Sequence, residues 1–447
     1  MHIEYPQQDR PCTLLLLLSL ALLYGSAAAQ VERISLADDR SQANAGSYRA
    51  AISDDGSVIA FQSNADNLVA ADNNGWVDVF VRDLGAGRTE IASLQPDGSE
   101  TQSYSKAASI SGDGNLVVYE SKPGGAAGVT SVSVFDRDAG TVDHILPNTQ
   151  NGQPVRPLVA RIEPAISGNG QFVAFRTRDK LQNLFPASIR PVADDLNLTF
   201  DVFIYDRQTL PTPVVQRVSR LSDDDDELDA DSRRPAFSQD GRFVAFMTYS
   251  QLIPGDSNNR PDIVVKDRDS GLMEVISITP GGTTGNGNSF DPAISGDGRF
   301  VAFRSEADDL VPGDSNGRWD IFVRDRMDWT TERVSRSSTG AQADHHSAEP
   351  SISDDGRFVA FRSTASNLVP DDANNRADIF VYDRDTGQTA RVGQPPGDES
   401  NGHSANPVIS GDGAWIAFES DATNLVADDT NAARDIFRAA NPLWSTP

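Results

Sequence analysis

The sequence predicts an all-β fold: a seven-bladed β-propeller of four-stranded antiparallel blades, with the N-terminal strand completing the last blade. Three observations lead there. A phrase typified by residues 292–305, PAISGDGRFVAFRS, recurs seven times, and its turn glycines (Gly56, Gly114, Gly170, Gly241, Gly298, Gly356, Gly413) are 58, 56, 71, 57, 58 and 57 residues apart. A near-constant period of this size marks a repeat architecture. The strand in that phrase is apolar on both faces. The last copy lacks a segment that is found at the other end of the chain.

The fifth copy shows one unit in full. Residues 292–295 form a short strand, and residues 299–305 (RFVAFRS) a second, Val- and Phe-rich and free of breakers. Between them Gly296-Asp297-Gly298 suits a tight turn, because Gly accepts the positive φ that such turns need. Residues 320–324 (DIFVR) are a third strand, and 331–335 (TERVS) a fourth. In the second strand Phe300 and Ala302 point one way, Val301 and Phe303 the other. A sheet apolar on both faces must be covered on both, and neighbouring copies supply the cover. The Phe303 position is aromatic throughout: Phe61, Tyr119, Phe175, Phe246, Phe303, Phe361 and Phe418. Each contributes about 1.5–3 kcal/mol when fully buried. Radially packed four-stranded sheets make a propeller.

Fourth-strand phrases follow the third strand in six units, at residues 89–94, 141–146, 214–219, 273–278, 331–335 and 388–393. After its third strand at 435–438 the seventh unit has only a short tail. The missing phrase is ERIS, residues 32–35. The N-terminal strand is therefore expected to close the ring, which protects strand edges that an open stack would expose.

The repeats fill nearly all of the 447 residues, so the chain reads as one domain, 30–447, behind a targeting segment, 1–29. Residues 14–23 are a continuous apolar run, too short to span a bilayer comfortably. It ends in Gly25-Ser26-Ala27-Ala28-Ala29, the pattern of a secretory signal peptide; a retained anchor is the alternative. Export to the periplasm or the extracellular space is the expectation, with no membrane span after cleavage. Cleavage removes Cys12, the only cysteine, and with it any disulfide or thiolate metal site. The net charge of −27, from 38 basic and 65 acidic residues, repels phosphate backbones and argues against a nucleic-acid partner. Residues 222–232, SDDDDELDADS, read as a solvated acidic loop or a cation or partner contact.

The phrase IS-x-DG-x-x-[VI]-[AV]-[FY], followed by DIFVRDR, is carried by residues 294–303 with 320–326 and, with one change, by 352–361 with 378–384. It resembles the WD40-like repeats of the TolB-type β-propeller family, over roughly residues 31–438. The Trp-Asp and Gly-His signatures of true WD40 repeats do not recur from unit to unit. The resemblance implies secreted or periplasmic bacterial propellers, used as protein-binding platforms or attached to peptidases. The α/β domain that TolB carries has no counterpart in this sequence, so a role in the Tol envelope system does not transfer.

Chemistry has two candidate places. Between the second and third strands, six units repeat Asp-x-Asn-x-x-x-Asp: Asp72/Asn74/Asp78, Asp195/Asn197/Asp201, Asp256/Asn258/Asp262, Asp314/Asn316/Asp320, Asp372/Asn374/Asp378 and Asp429/Asn431/Asp435. Alternating oxygen ligands on a turning loop suit Ca²⁺, a hard ion wanting six to eight oxygens. Equally, Asp and Asn bond their own backbone and shape loops. Arg260, Arg318, Arg376 and Arg434 lie inside four of the loops as candidate internal counter-charges. No cofactor is required on this reading, and calcium is a candidate.

The second place is the channel mouth. The loops from the second to the third strand and from the fourth to the next first strand leave a meander on one face. Arg49, Glu163, Arg234, Asp291, Glu349 and Asn406 come just before the inner strands and are expected to ring the mouth. Their variety within a uniform repeat suits a binding face for a protein, peptide or glycan. It also suits ordinary loop variability. No H-E-x-x-H is present, and the G-x-S-x-G match at residues 313–317 falls inside an Asp-x-Asn loop rather than at a strand-to-helix elbow. His345, His346 and His403 fall in loops before units six and seven, and a polysaccharide lyase or hydrolase using them is the alternative to a non-enzymatic binding scaffold.

Overall fold

The computed structural model describes residues 31–70, 72–122, 130–145, 149–150, 153–154, 162–177, 199–208, 214–220, 230–251, 258–395 and 397–445. The expected signal peptide (1–29), Asp195, Asn197, Asp256 and most of the acidic run 222–232 lie outside them.

Seven four-stranded antiparallel sheets run in sequence order, one per repeat. Blade 5 is typical, with strands Ser289–Ile294, Phe300–Ser305, Asp320–Asp325 and Thr330–Arg333. Consecutive first strands pack on one another around the ring, including Ser404–Ile409 of blade 7 on Ser47–Ile52 of blade 1, so they are the innermost. The seventh sheet closes as expected. Its outer strand is Val31–Arg33, which pairs antiparallel with Asp435–Ala440 in the register Val31↔Ala439, Glu32↔Arg438, Arg33↔Phe437. The Ile34 amide continues the pairing to the Ile436 carbonyl at 2.8 Å.

The core is a set of interblade layers. One joins Met247, Ile263 and Val265 of blade 4 to Val301, Phe303 and Phe322 of blade 5; another joins Ile34, Ala417 and Ile436 of blade 7 to Ile59, Phe61 and Phe80 of blade 1. All seven repeat aromatics are fully buried. Five of them stack on a Phe directly opposite in the third strand, as Phe303 does on Phe322 with centroids 5.9 Å apart.

The Asp-Gly turn is locked from within. Ser295 Oγ donates to Asp297 at 2.7 Å, the Arg299 amide donates to the same carboxylate at 2.8 Å, and Gly298 takes φ 73°. The arginine of the repeated Asp-Arg hairpin reaches across the blade boundary. Arg384 donates to the carbonyl oxygen of Gly356 in its own turn and to Glu332 of blade 5, both at 2.7 Å, and covers the Phe300 ring at 4.1 Å. It is an interblade staple.

The outer strands are shorter than the phrases that predict them, and the serine two residues beyond the strand end turns its hydroxyl inward. Ser335 Oγ donates to Asp320 at 2.5 Å and Ser93 Oγ to Asp78 at 2.6 Å.

Candidate functional site

Five of the six mouth residues sit inside the inner strands rather than just before them; Glu163 alone precedes its strand, Ala165–Ile166. Arg49, Glu163, Arg234, Asp291, Glu349 and Asn406 take φ between 45° and 57°, and Ala107 of blade 2 holds the seventh equivalent place at 55°. In six blades, blade 3 excepted, the ladder to the second strand slips at this point, as between Phe290 and Ala293. In those six blades the residue is thus the extra residue of a β-bulge, which bends the strand and re-aims its side chain. The serines before them are structural: Ser47, Ser289, Ser347 and Ser404 each donate across to a serine of the second strand at 3.0 Å.

The side chains and amides at the bulges meet their neighbours. The Arg49 amide donates to Glu419 of blade 7 and the Asn406 amide to Glu349 of blade 6, both at 2.7 Å. Arg304 Nε lies 2.6 Å from Asp291, which also pairs with Arg234 of blade 4. Glu163 pairs with Arg176 at 3.2 Å, and Arg434 with Glu419 at 2.8 Å. Burial in this space pushes the Arg234 guanidinium below its ordinary value; Glu163 opposes the shift, Arg304 and Arg49 add to it, and Glu349 opposes it. Charges from blades 1, 3, 5 and 6 therefore act on one residue of blade 4, as groups facing a shared channel would. Arg49, Lys106, Arg176, Arg234, Arg304, Arg362 and Arg434 stand there beside Glu120, Glu163, Asp291, Glu349 and Glu419, a small cationic excess on an acidic chain.

The opposite end of the channel was not anticipated from sequence. Main-chain hydrogen bonds of 2.8–2.9 Å run from each inner turn to the next: Asp54 to Gly112, Gly112 to Gly168, Asn169 to Gln239, Gln239 to Gly296, Gly296 to Asp354, Asp354 to Gly411 and Asp412 back to Asp54. The circle is complete. Gln239 Nε2 donates to Asp54. A methyl group at Gly411 would touch both Asp354 and Asp54, so these carboxylates converge. Burial, then the Asp54 charge, lifts the Asp354 carboxyl to about 6.

The Asp-x-Asn loops show the loop-shaping role of their residues. Asn316 accepts from the Arg318 amide at 2.9 Å and donates to Asp320 at 2.7 Å and to the Ala343 carbonyl at 3.0 Å. Asn74, Asn374 and Asn431 repeat this set, and Asn258 repeats the bonds to the Arg260 amide and the Gly285 carbonyl. The final Asp of each motif (Asp78, Asp201, Asp262, Asp320, Asp435) accepts a serine hydroxyl at 2.5–2.6 Å, blade 6 lacking that serine at Asp378. The expected counter-charges are elsewhere: Arg260 pairs with Glu306 and Arg434 with Asp421 and Glu419. The first aspartates meet arginines of the fourth strand instead. Arg333 lies 3.1 Å from Asp314, Arg391 3.2 Å from Asp372 and Arg33 3.5 Å from Asp429. The recurring Arg in TERVS, TARVG and ERIS was the available signal. Among the described residues no three His, Cys, Asp or Glu side chains form a ready-made metal cage.

The histidines serve local roles. His346 Nδ1 accepts from the Trp319 amide at 3.1 Å and His403 Nδ1 from the Ala377 amide at 2.9 Å, the same task in consecutive blades.

No protein-family model and no curated protein matches the chain. Solved structures do. An oligogalacturonate lyase in complex with manganese aligns over 94% of this chain and 95% of its own, at 13% identity and TM-score 0.54. An oligogalacturonate lyase from Vibrio parahaemolyticus aligns over 92% and 97%, at 11% identity and TM-score 0.53. TolB from Acinetobacter baumannii aligns over 79% and 67%, at 15% identity and TM-score 0.43. For the two lyases, at such identities, the shared property is the fold. Among the described residues no helix is long and apolar enough to cross a membrane.

Proposed function

We propose that this chain is an exported, non-enzymatic propeller scaffold that binds an anionic peptide, protein segment or glycan at its channel mouth. The observation that carries the reading is the bulge position. The surrounding repeat is nearly uniform, yet this one place holds Arg, Ala, Glu, Arg, Asp, Glu and Asn in blades 1 to 7, each held at positive φ. Rigid main-chain placement of varied side chains is what a specific recognition surface requires. The cationic excess favours carboxylate-bearing ligands, since guanidinium groups match carboxylates in a bidentate fork. Arg234 is the leading contact, with 49% of its side chain exposed.

The test is a glycan and peptide array probed with the purified protein, repeated with Arg234→Glu and Arg49→Glu. Binding should fall at least tenfold in each variant and weaken with salt. Binding indifferent to both changes counts against the mouth.

A second reading is a lyase or hydrolase working at the same face. It is favoured by the full-length structural likeness to oligogalacturonate lyases. Incubation with oligogalacturonate, with and without Mn²⁺, separates the two: product formation abolished by His346→Ala or His403→Ala supports the enzyme.

A further inference from the structure

In each blade one position of the fourth strand lies opposite the third residue of the third strand. It is Arg333 opposite Phe322 in blade 5, Arg391 opposite Phe380 in blade 6, and Arg33 opposite Phe437 in blade 7. These arginines neutralise the buried Asp-x-Asn carboxylates. Blade 6 shows the arrangement most completely: Arg391 Nη1 lies 3.2 Å from Asp372, 3.5 Å from Asp378 and 3.1 Å from Glu399. One positive nitrogen is held among three carboxylates.

Blade 1 keeps the carboxylates and replaces the arginine. Opposite Phe80 stands Ile91. Asp72, Asp78 and Glu100 occupy the places of Asp372, Asp378 and Glu399; the Asn73 amide donates to Glu100 at 2.8 Å as the Ala373 amide does to Glu399 at 3.0 Å. Asp78 has one donor on each oxygen, Ser93 at 2.6 Å and Asn74 at 2.9 Å. Asp72 does not. It is 5% exposed, and although the Asn74 amide faces it, neither carboxylate oxygen completes a hydrogen bond. Among the described residues no ion pair includes it. A buried carboxylate left in this state is costly unless something positive meets it.

We propose that blade 1 binds one hard divalent cation, Ca²⁺, at the position that the Arg391 guanidinium holds in blade 6, with both Asp72 oxygens as the leading ligands and Asp78 and Glu100 supporting. Carboxylate oxygens and water suit that ion, which tolerates irregular coordination at 2.3–2.6 Å. The three carboxylates do not already form a closed cage, so Glu100, half-buried at the rim, must turn inward, and the affinity is correspondingly weak. Repeats with the built-in guanidinium have no need of the ion. Blade 4 carries Val275 at this position, but Asp256 lies outside the described residues, and the proposal is confined to blade 1.

The experiment uses the purified protein after chelation and dialysis, with calorimetric titration of Ca²⁺ and a thermal melt. The expected result is one ion per chain with Kd about 10⁻⁴–10⁻³ M and a rise in melting temperature of about 1–2 °C at ten times Kd. Ile91→Arg, which supplies the guanidinium, should abolish binding and raise the melting temperature of the calcium-free protein. Asp72→Asn, nearly isosteric, should weaken binding at least tenfold and decides the matter if Ile91→Arg fails to fold. No binding at 10 mM Ca²⁺ overturns the proposal, since a proton then neutralises Asp72. Binding that survives both substitutions overturns it as well, by placing the ion elsewhere.

Discussion

Arg438 of blade 7 donates from Nη1 to the carbonyl oxygen of Gly56 in blade 1, 2.7 Å away, across the junction where the chain's two ends meet. Its Nε donates to Glu32 at 2.7 Å, and its guanidinium covers Trp415 at 3.9 Å. In blade 6 the corresponding turn carbonyl, that of Gly356, is served by Arg384 from its own hairpin. Blade 1 has Leu84 at that place, so the staple at the junction comes from the opposite side. Arg438→Ala should lower stability by about 2 kcal/mol, in the range of hydrogen bonds to charged groups. A shift of the urea midpoint without a change of slope is the measurement. An unmoved midpoint means that strand pairing alone holds the junction.

The bulge positions carry backbone strain that glycine would relieve. Arg49 has φ 50°, and its amide bond to Glu419 does not depend on its side chain. Arg49→Gly should therefore stabilise by about 0.5–1 kcal/mol while lowering ligand affinity. Arg49→Val should destabilise by about 1–2 kcal/mol, because a β-branched residue resists positive φ. Melting curves set beside array binding separate fold from recognition.

Asp354 gives a pH dependence of definite sign. Its carboxyl is raised to about 6, above that of the unfolded chain, so between roughly pH 4 and 6 the folded state binds the extra proton. Stability from this group is then present at low pH and lost as pH rises through 6. Asp354→Asn should raise stability at pH 8 by about 1 kcal/mol, allowing for partial exposure, and flatten the profile of urea midpoint between pH 5 and 8. An unchanged profile excludes the pair with Asp54 as its source.

Gly402 lies against the Ala422 main chain so closely that a Cβ would strike it. Main chain cannot rotate away as a side chain can. Gly402→Ala should cost more than about 2 kcal/mol, read as a lowered melting temperature, whereas Gly397→Ala, with open space around it, should cost only what its φ of 75° demands.

Strand order, blade number and the shared seventh sheet were legible in the sequence because periodic apolar residues and turn glycines encode them locally. Ile34 meeting Ile436 followed from counting phrases. What escaped were relations between repeats. That Arg391 faces Asp372 depends on the strand register, and a near-perfect repeat hides the copies that depart from it, Ile91, His144 and Val275. The strands were expected to begin after Arg49 and its equivalents because an arginine or a glutamate gives no sign of positive φ. Ala107 was missed because its side chain carries no chemistry. The meeting of Asp54, Gln239 and Asp354 requires knowing the distance across the axis, which no linear pattern holds.

The pairing of Val31 with Ala439 sets a temporal order on the molecule's maturation. A ribosome delivers the first of these residues some four hundred positions before the second. Until residues 435–440 have been made the final wedge has an unpaired border and the circle cannot shut. Loop closure over that separation is slow compared with local hairpin formation. The finished annulus is thus a late, all-or-none event, and a chain cut short anywhere before Asp435 forfeits it.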